Sequence, residues 1–144
     1  MKKMIILIPV FFLFSCATSY HHKNFFGGYT DYQLEPDIFR VSFKGNSKTS
    51  IERAVDFALL RSAELTLKNG CKYFTVLYRD QYIQEDWVYT HHYYPSIVEK
   101  PRVYFTIKCF AEKPDCKAFD ADKVIASLKD KYNLKDDIVM SSTL

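Results

Sequence analysis

Residues 38–69 read IFRVSFKGNSKTSIERAVDFALLRSAELTLKN, a strand pattern followed directly by a helix pattern. The first seven residues alternate apolar and polar side chains, which predicts a strand with one buried face. Gly45-Asn46 ends this strand, because both residues tolerate the positive φ of a tight turn. A strand followed by an amphipathic helix favours a fold in which a helix covers one face of a sheet.

The helix is predicted to run from Thr49 to Asn69. Thr49 and Glu52 match a capping box, in which each side chain accepts the backbone N–H of the other residue. Gly70 follows as the usual left-handed cap. Most apolar residues of the segment fall on one stripe that can pack on a sheet. Three lie off it and must be covered by the N-terminal segment, a second helix or a partner: Phe57, Leu60 and Leu67.

Two further strands and a second helix are predicted towards the C-terminus. Residues 73–79 and 102–110 alternate in polarity, and we expect them to pair as an antiparallel hairpin. Three side chains of the first are predicted on one face: Phe74, Val76 and Tyr78. Asp120 is the expected cap of a helix over 121–132, and Asn133 ends it.

These elements together predict an α+β fold in the order β-α-β-β-α. We expect a two-layer sandwich with a mainly antiparallel three-stranded sheet and two helices on one face.

The connection between the hairpin strands, residues 80–101, is about 22 residues long and rich in aromatic side chains. Connections of this length are often functional or disordered, and we expect part of it to extend the strands into a ribbon. Tyrosine and tryptophan are enriched at recognition sites. We therefore predict partner binding by five aromatic residues, against the simpler interpretation that they pack on the sheet: Tyr82, Trp87, Tyr89, Tyr93 and Tyr94.

The N-terminus has the pattern of a lipoprotein signal. Lys2-Lys3 precede an apolar run of about eleven residues, shorter than the roughly 20 that a membrane-spanning helix needs. Residues 13–16, LFSC, resemble the lipobox of bacterial lipoproteins, in which the cysteine is lipidated. The alternatives are an ordinary secretory peptide and an uncleaved N-terminus. Ala17, where aspartate would retain an enteric lipoprotein at the inner membrane, favours the outer membrane facing the periplasm.

This pattern predicts four parts. Residues 1–15 are a signal peptide that is removed. Residues 16–26 are the lipidated Cys16 and a polar tether, residues 27–133 are a single α+β domain, and residues 134–144 are a flexible tail.

Cysteine usage predicts one disulfide at most. The chain has four cysteines, of which lipid would consume Cys16. In an oxidising envelope, three remaining cysteines favour one bridge and one free thiol. We predict Cys71–Cys109, with Cys109–Cys116 as the alternative and three reduced thiols as the third possibility.

Charge and motifs argue against several functional classes. Removing Lys2 and Lys3 from the 20 basic residues leaves 18, against 17 acidic residues, so we expect no nucleic-acid partner. The sequence has no nucleophile elbow and no Cys–His signature, so we predict no catalytic residue. The adjacent histidines, at 21–22 and 91–92, lack further ligands, so we predict no metal and no cofactor. Arg61 and Glu64 are interpreted as a helix-surface ion pair.

Several blocks carry a family resemblance: GGYTD at 27–31, FRVSFKGN at 39–46, DFALLRSAELTL at 56–67, then Gly70 and Tyr73-Phe74. This chain resembles the CC0125/CC1285 family of bacterial lipoproteins over about residues 16–110, most strongly over 27–74. The family's function is uncharacterised, so the resemblance implies the anchor and the domain and brings no catalytic residue.

We therefore predict a membrane-anchored envelope lipoprotein that acts as a non-catalytic binding or scaffolding module. Its expected partners are the membrane, through the N-terminal lipid, and another envelope protein or a cell-wall component. The alternatives are a small-ligand carrier or sensor that uses residues 80–101, with a pocket lined by Tyr78, Trp87 and Tyr104, and, less favoured, a cell-envelope enzyme.

Overall fold

The computed structural model describes residues 17–24, 27–89 and 95–135. The predicted signal peptide, Cys16, Tyr93, Tyr94 and the part of the predicted tail beyond residue 135 lie outside the described residues. The α+β class is confirmed, with a single antiparallel sheet and two helices within these described residues. The elements are β1 (Gly28–Glu35), β2 (Ile38–Lys44), α1 (Ile51–Lys68), β3 (Tyr73–Tyr89), β4 (Pro95–Phe110), β5 (Phe119–Asp120) and α2 (Ala121–Tyr132).

In the part of the chain that the structure describes, the sheet has five strands in the order β1-β2-β4-β3-β5, where the sequence predicts three. The first additional strand, β1, is an edge strand whose second half is exposed, so it lacks the apolar alternation that identifies a half-buried strand. The second, β5, is only two residues long. Strand β4 lies between β2 and β3 and pairs antiparallel with both.

The core lies between α1 and one side of the sheet. Helix α1 contributes eight buried residues, six of them apolar, and β2 and β4 contribute their alternating apolar side chains, including Phe43, Val41 and Ile107. Helix α2 packs along α1, where the Tyr132 hydroxyl donates to Asp56 Oδ2 at 2.7 Å. Phe57 is fully buried between these layers. This agrees with the prediction that another part of the chain, or a partner, covers its side chain.

The start of α1 differs from the predicted capping box by one residue. Ser50, not Thr49, is the N-cap, and its Oγ accepts the backbone N–H of Arg53 at 3.1 Å. Thr49 Oγ1 instead accepts the backbone N–H of Thr18 at 3.0 Å, so it ties the N-terminal segment to the helix start. The end of α1 at Asn69 and the whole of α2, capped by Asp120, are as predicted.

The segment predicted as a tether is partly packed on the domain. Thr18 and Tyr20 are buried, so folded structure reaches back to Thr18 and does not begin at Gly27. The Tyr29 backbone N–H donates to the His21 carbonyl at 2.9 Å. Gly28 permits this approach: it has φ +113°, and a Cβ there would lie 2.5 Å from the His21 carbonyl oxygen. Polarity alone does not reveal this docking, because it depends on hydrogen bonds to residues far along the chain and on the buried Tyr20 ring.

A half-buried polar cluster holds the docked segment against α1 and β1. Arg61 Nε lies 2.7 Å from Asp31 Oδ1, and Arg61 Nη1 lies 3.2 Å from Glu64 Oε2. The guanidinium also lies 4.5 Å from the centre of the Tyr29 ring. The Tyr20 hydroxyl donates to Glu64 Oε2. Arg61 and Glu64 therefore form more than the predicted surface ion pair, because they join three parts of the chain.

This cluster predicts a loss of stability in alkali. Burial, and then the Glu64 carboxylate, raise the pKa of Tyr20 above its ordinary value. Above about pH 10 the unfolded chain loses the tyrosine proton while the folded chain retains it, so folding weakens as pH rises; below that pH the contribution is fully present. We expect the urea midpoint of the full chain, purified in a mild detergent, to fall less between about pH 9 and 11 in Tyr20→Phe than in the wild type. Equal losses in the two proteins would contradict this assignment.

Candidate functional site

The side of the sheet opposite α1 carries a shallow cavity of about 330 Å³. We call its lining the tyrosine face: Tyr32, Arg40, Ser42, Asp80, Tyr82 and Tyr104. These side chains come from four adjacent strands, β1, β2, β4 and β3. Three interstrand spacings of about 4.8 Å make this surface roughly 14 Å wide.

Strand register brings these residues together. Tyr32 lies opposite Arg40, and Tyr104 lies opposite Ser42 on one side and Asp80 on the other. Directly opposed residues share a face of the sheet and interact. Tyr82 is the residue of the face that the sequence predicts as a binding residue, and Tyr104 is predicted only for the alternative ligand pocket. Arg40 and Ser42 occupy polar positions of a predicted strand. These positions identify a shared surface with the tyrosines only once the strand order is known.

A β-bulge at Leu77 turns β3 so that it contributes to this surface. Before the bulge, Phe74 and Val76 face α1, opposite Cys109 and Ile107. After it, the extra residue reverses the alternation, as bulges do. Tyr78 is therefore 53% exposed on the open side, and its predicted place on the same face as Phe74 and Val76 is wrong.

The tyrosine rings provide flat apolar surface that water can reach. Tyr82 and Tyr104 stack with their ring centres 6.1 Å apart and an angle of 16° between their planes. Tyr32, at the other end of the face, is 55% exposed, and Tyr82 is 45% exposed. A side-chain hydrogen bond with Tyr82, and then burial, raise the pKa of Tyr104 above its ordinary value.

The tyrosine face carries one cation and one anion. Arg40 Nε is buried and has no hydrogen-bond partner in the part of the chain that the structure describes. Asp80 lines the same cavity. Ser42 Oγ lies 2.6 Å from Thr30 Oγ1. The face therefore offers both donors and acceptors between aromatic rings, which is the chemistry of a binding site for a polar ligand.

A polar ladder fixes the sheet beside the tyrosine face. Arg102 Nε donates to Gln84 Oε1 at 2.8 Å, and Gln84 Nε2 donates to Asp86 Oδ1 at 2.7 Å. Lys100 Nζ donates to Asp86 Oδ2 at 2.7 Å, and this hydrogen bond is the first cause of the lowered pKa of Asp86. Because each partner of the ladder stands on β3 or β4, the ladder holds the two strands that position Tyr82 and Tyr104.

The predicted connection forms a two-stranded ribbon, in which residues 83–89 pair with 95–101. Trp87 is exposed opposite Ile97, on the side of the ribbon that continues the α1 face of the sheet. Tyr82 points to the opposite side, so the structure does not bring Tyr82 and Trp87 onto one surface. Tyr89 pairs with Pro95 at the end of the described ribbon. Partner binding by these residues stays a prediction.

The three cysteines of the described chain are free thiols. Cys109 is buried, and Thr66 Oγ1 lies 3.4 Å from its Sγ. Burial raises the pKa of Cys109, and the neighbouring Cys71 thiol contributes to this shift. Cys116 is exposed on a loop. Both candidate pairings, Cys71–Cys109 and Cys109–Cys116, stay predictions.

Within residues 17–24, 27–89 and 95–135, no three histidine, cysteine or acidic side chains are grouped as metal ligands. No helix in the same part of the chain has the length and apolar character needed to cross a membrane. Comparison of the whole chain with known proteins found no matching family model, no matching curated protein and no matching solved structure.

Proposed function

We propose that this protein is a lipid-anchored bacterial envelope lipoprotein of the CC0125/CC1285 type, and that it works as a non-catalytic binding module. Cys16 would carry the lipid, and the outer membrane facing the periplasm is the proposed site. The lipobox-like residues 13–16 support the anchor, and Ala17 favours the outer membrane.

The observation that carries the binding role is the uncovered tyrosine face. One side of the sheet packs on α1, whereas the other exposes tyrosine rings beside an arginine and an aspartate. An exposed aromatic and polar surface of this kind is typical of recognition. Its volume of about 330 Å³ is at the low end for small-molecule pockets, which bury most of the ligand. Of the three residues expected to line the pocket of a carrier, Tyr104 lines this cavity, whereas Tyr78 and Trp87 do not. Recognition at a surface is therefore favoured over enclosure of a small ligand.

The anchor predicts a complete change of fractionation for Cys16→Ala. The wild-type chain should sediment with membranes and take up radiolabelled palmitate, because several acyl chains hold a protein at a bilayer firmly. Cys16→Ala should take up no label and should be either soluble in the envelope or unprocessed. Cys116→Ala, which removes an exposed thiol, is the matched control and should behave as the wild type. Unchanged sedimentation and labelling of Cys16→Ala would reject the anchor.

A further inference from the structure

We propose that the tyrosine face binds a pyranose ring of an envelope glycan; this inference rests on the proposed binding function and names the class of ligand. The first argument is the shape of the surface. A pyranose ring has a flat C–H face and a rim of hydroxyl groups. The stacked pair Tyr82 and Tyr104 and the exposed ring of Tyr32 give flat apolar surfaces at two positions across the sheet.

The second argument is the pairing of donors and acceptors. Each sugar hydroxyl can accept one hydrogen bond and donate another. Arg40 supplies only donors, and Asp80 supplies only acceptors when ionised. A hydroxyl ring can satisfy both groups at once. A wholly apolar ligand would leave both desolvated without partners.

The third argument concerns charge and size. A free anion such as phosphate could pair with Arg40 but would be repelled by Asp80 in the same cavity. The face spans four strands and is shallow, so it suits one or two rings of a longer chain lying across it. The two envelope sources of such rings are the amino-sugar strands of the cell wall and the saccharides attached to lipids.

The test uses the full chain, purified in a detergent without a sugar headgroup, because a sugar detergent would compete for the site. The probes are chitotetraose, representing the amino-sugar strand, and delipidated lipopolysaccharide core oligosaccharide; inorganic phosphate is the probe for charge alone. Calorimetry should show binding of one oligosaccharide in the micromolar to millimolar range, and its identity assigns the source.

Four variants at three exposed positions on β3 test the site. Tyr82→Ala should weaken binding by at least about tenfold, whereas Tyr82→Phe, which keeps the ring, should retain most of it. Asp80→Asn should weaken oligosaccharide binding; at an anion site the same variant would strengthen phosphate binding. Tyr78→Ala removes a neighbouring exposed tyrosine outside the cavity and should change nothing.

Four outcomes would overturn the proposal: no binding of either oligosaccharide at millimolar concentration, equal affinity in Tyr82→Ala and the wild type, equal losses in Tyr82→Ala and Tyr78→Ala, or tighter phosphate binding in Asp80→Asn without oligosaccharide binding. None of these outcomes affects the Cys16→Ala fractionation test. Failure of the glycan class and failure of the membrane anchor are thus separate results.

Discussion

Replacing Phe57 with alanine is expected to lower the free energy of unfolding by about 3–5 kcal/mol, the usual cost of removing a fully buried phenylalanine ring. The ring is 0% exposed. Its centre lies 5.5 Å from that of Tyr20, 5.3 Å from that of Phe43 and 4.9 Å from that of Tyr132. The cavity left behind would adjoin the N-terminal segment, the sheet and both helices, so no single element could move in to fill it.

Urea denaturation of the full chain, followed by circular dichroism, measures this effect. Phe57→Leu should fall between the wild type and Phe57→Ala, because it keeps part of the buried volume. Tyr78→Ala is the control, since it removes an exposed aromatic ring and should stay within about 0.5 kcal/mol of the wild type. A Phe57→Ala midpoint equal to that of Tyr78→Ala would show that the four parts do not meet at this ring.

Replacing Arg61 with alanine is the second large effect. The change leaves Asp31 and Glu64 half-buried without their cation, and it removes the guanidinium above Tyr29. Breaking a fully buried ion pair costs about 3–5 kcal/mol. The side chains of Arg61 and Asp31 retain 16% and 20% exposure, so partial solvent screening should reduce the cost to about 2–3 kcal/mol.

The matched control is Lys108→Ala. Lys108 Nζ lies 3.3 Å from Asp37 Oδ2, but these side chains are 39% and 46% exposed, so the loss should be below about 1 kcal/mol. Adding Asp31→Asn and Glu64→Gln to Arg61→Ala should recover part of the lost stability, because these changes remove the two carboxylate charges that have lost their cation. If Arg61→Ala costs no more than Lys108→Ala, the cluster does not fasten the N-terminal segment.

Local patterns in the sequence predict the elements that carry their own signals. Strand β2 and helix α2 begin and end where alternation and capping residues place them. Strand β1 is different, because only Gly28 and Tyr29 of its eight residues are buried and its pairing with β2 makes it a strand. The docked residues 18–24 are hidden from sequence patterns for a similar reason, since their burial depends on Gly28 and on partners far along the chain.

The candidate site depends even more on long-range geometry. Tyr82 can be identified from composition as an aromatic residue in a long connection. Arg40 and Asp80 line one cavity only through the strand order and the bulge at Leu77. A single extra residue reverses which side chains of β3 face the helix. No residue type at this position indicates that a bulge forms. The cavity is therefore a property of register, which local periodicity does not specify.

The burial of Thr18 has a consequence for where a lipid-anchored form of this protein can work. Only one residue separates Thr18 from Cys16. Because an extended chain spans about 3.3–3.6 Å per residue, the linker between the lipidated Cys16 and the folded Thr18 would be about 7 Å long. A domain of this size has a radius of gyration of about 13 Å, so its reach from the bilayer would be little more than its own diameter. A protein anchored in this way would stay within about one domain diameter of its membrane. Any partner that it binds would have to come within that distance of the bilayer.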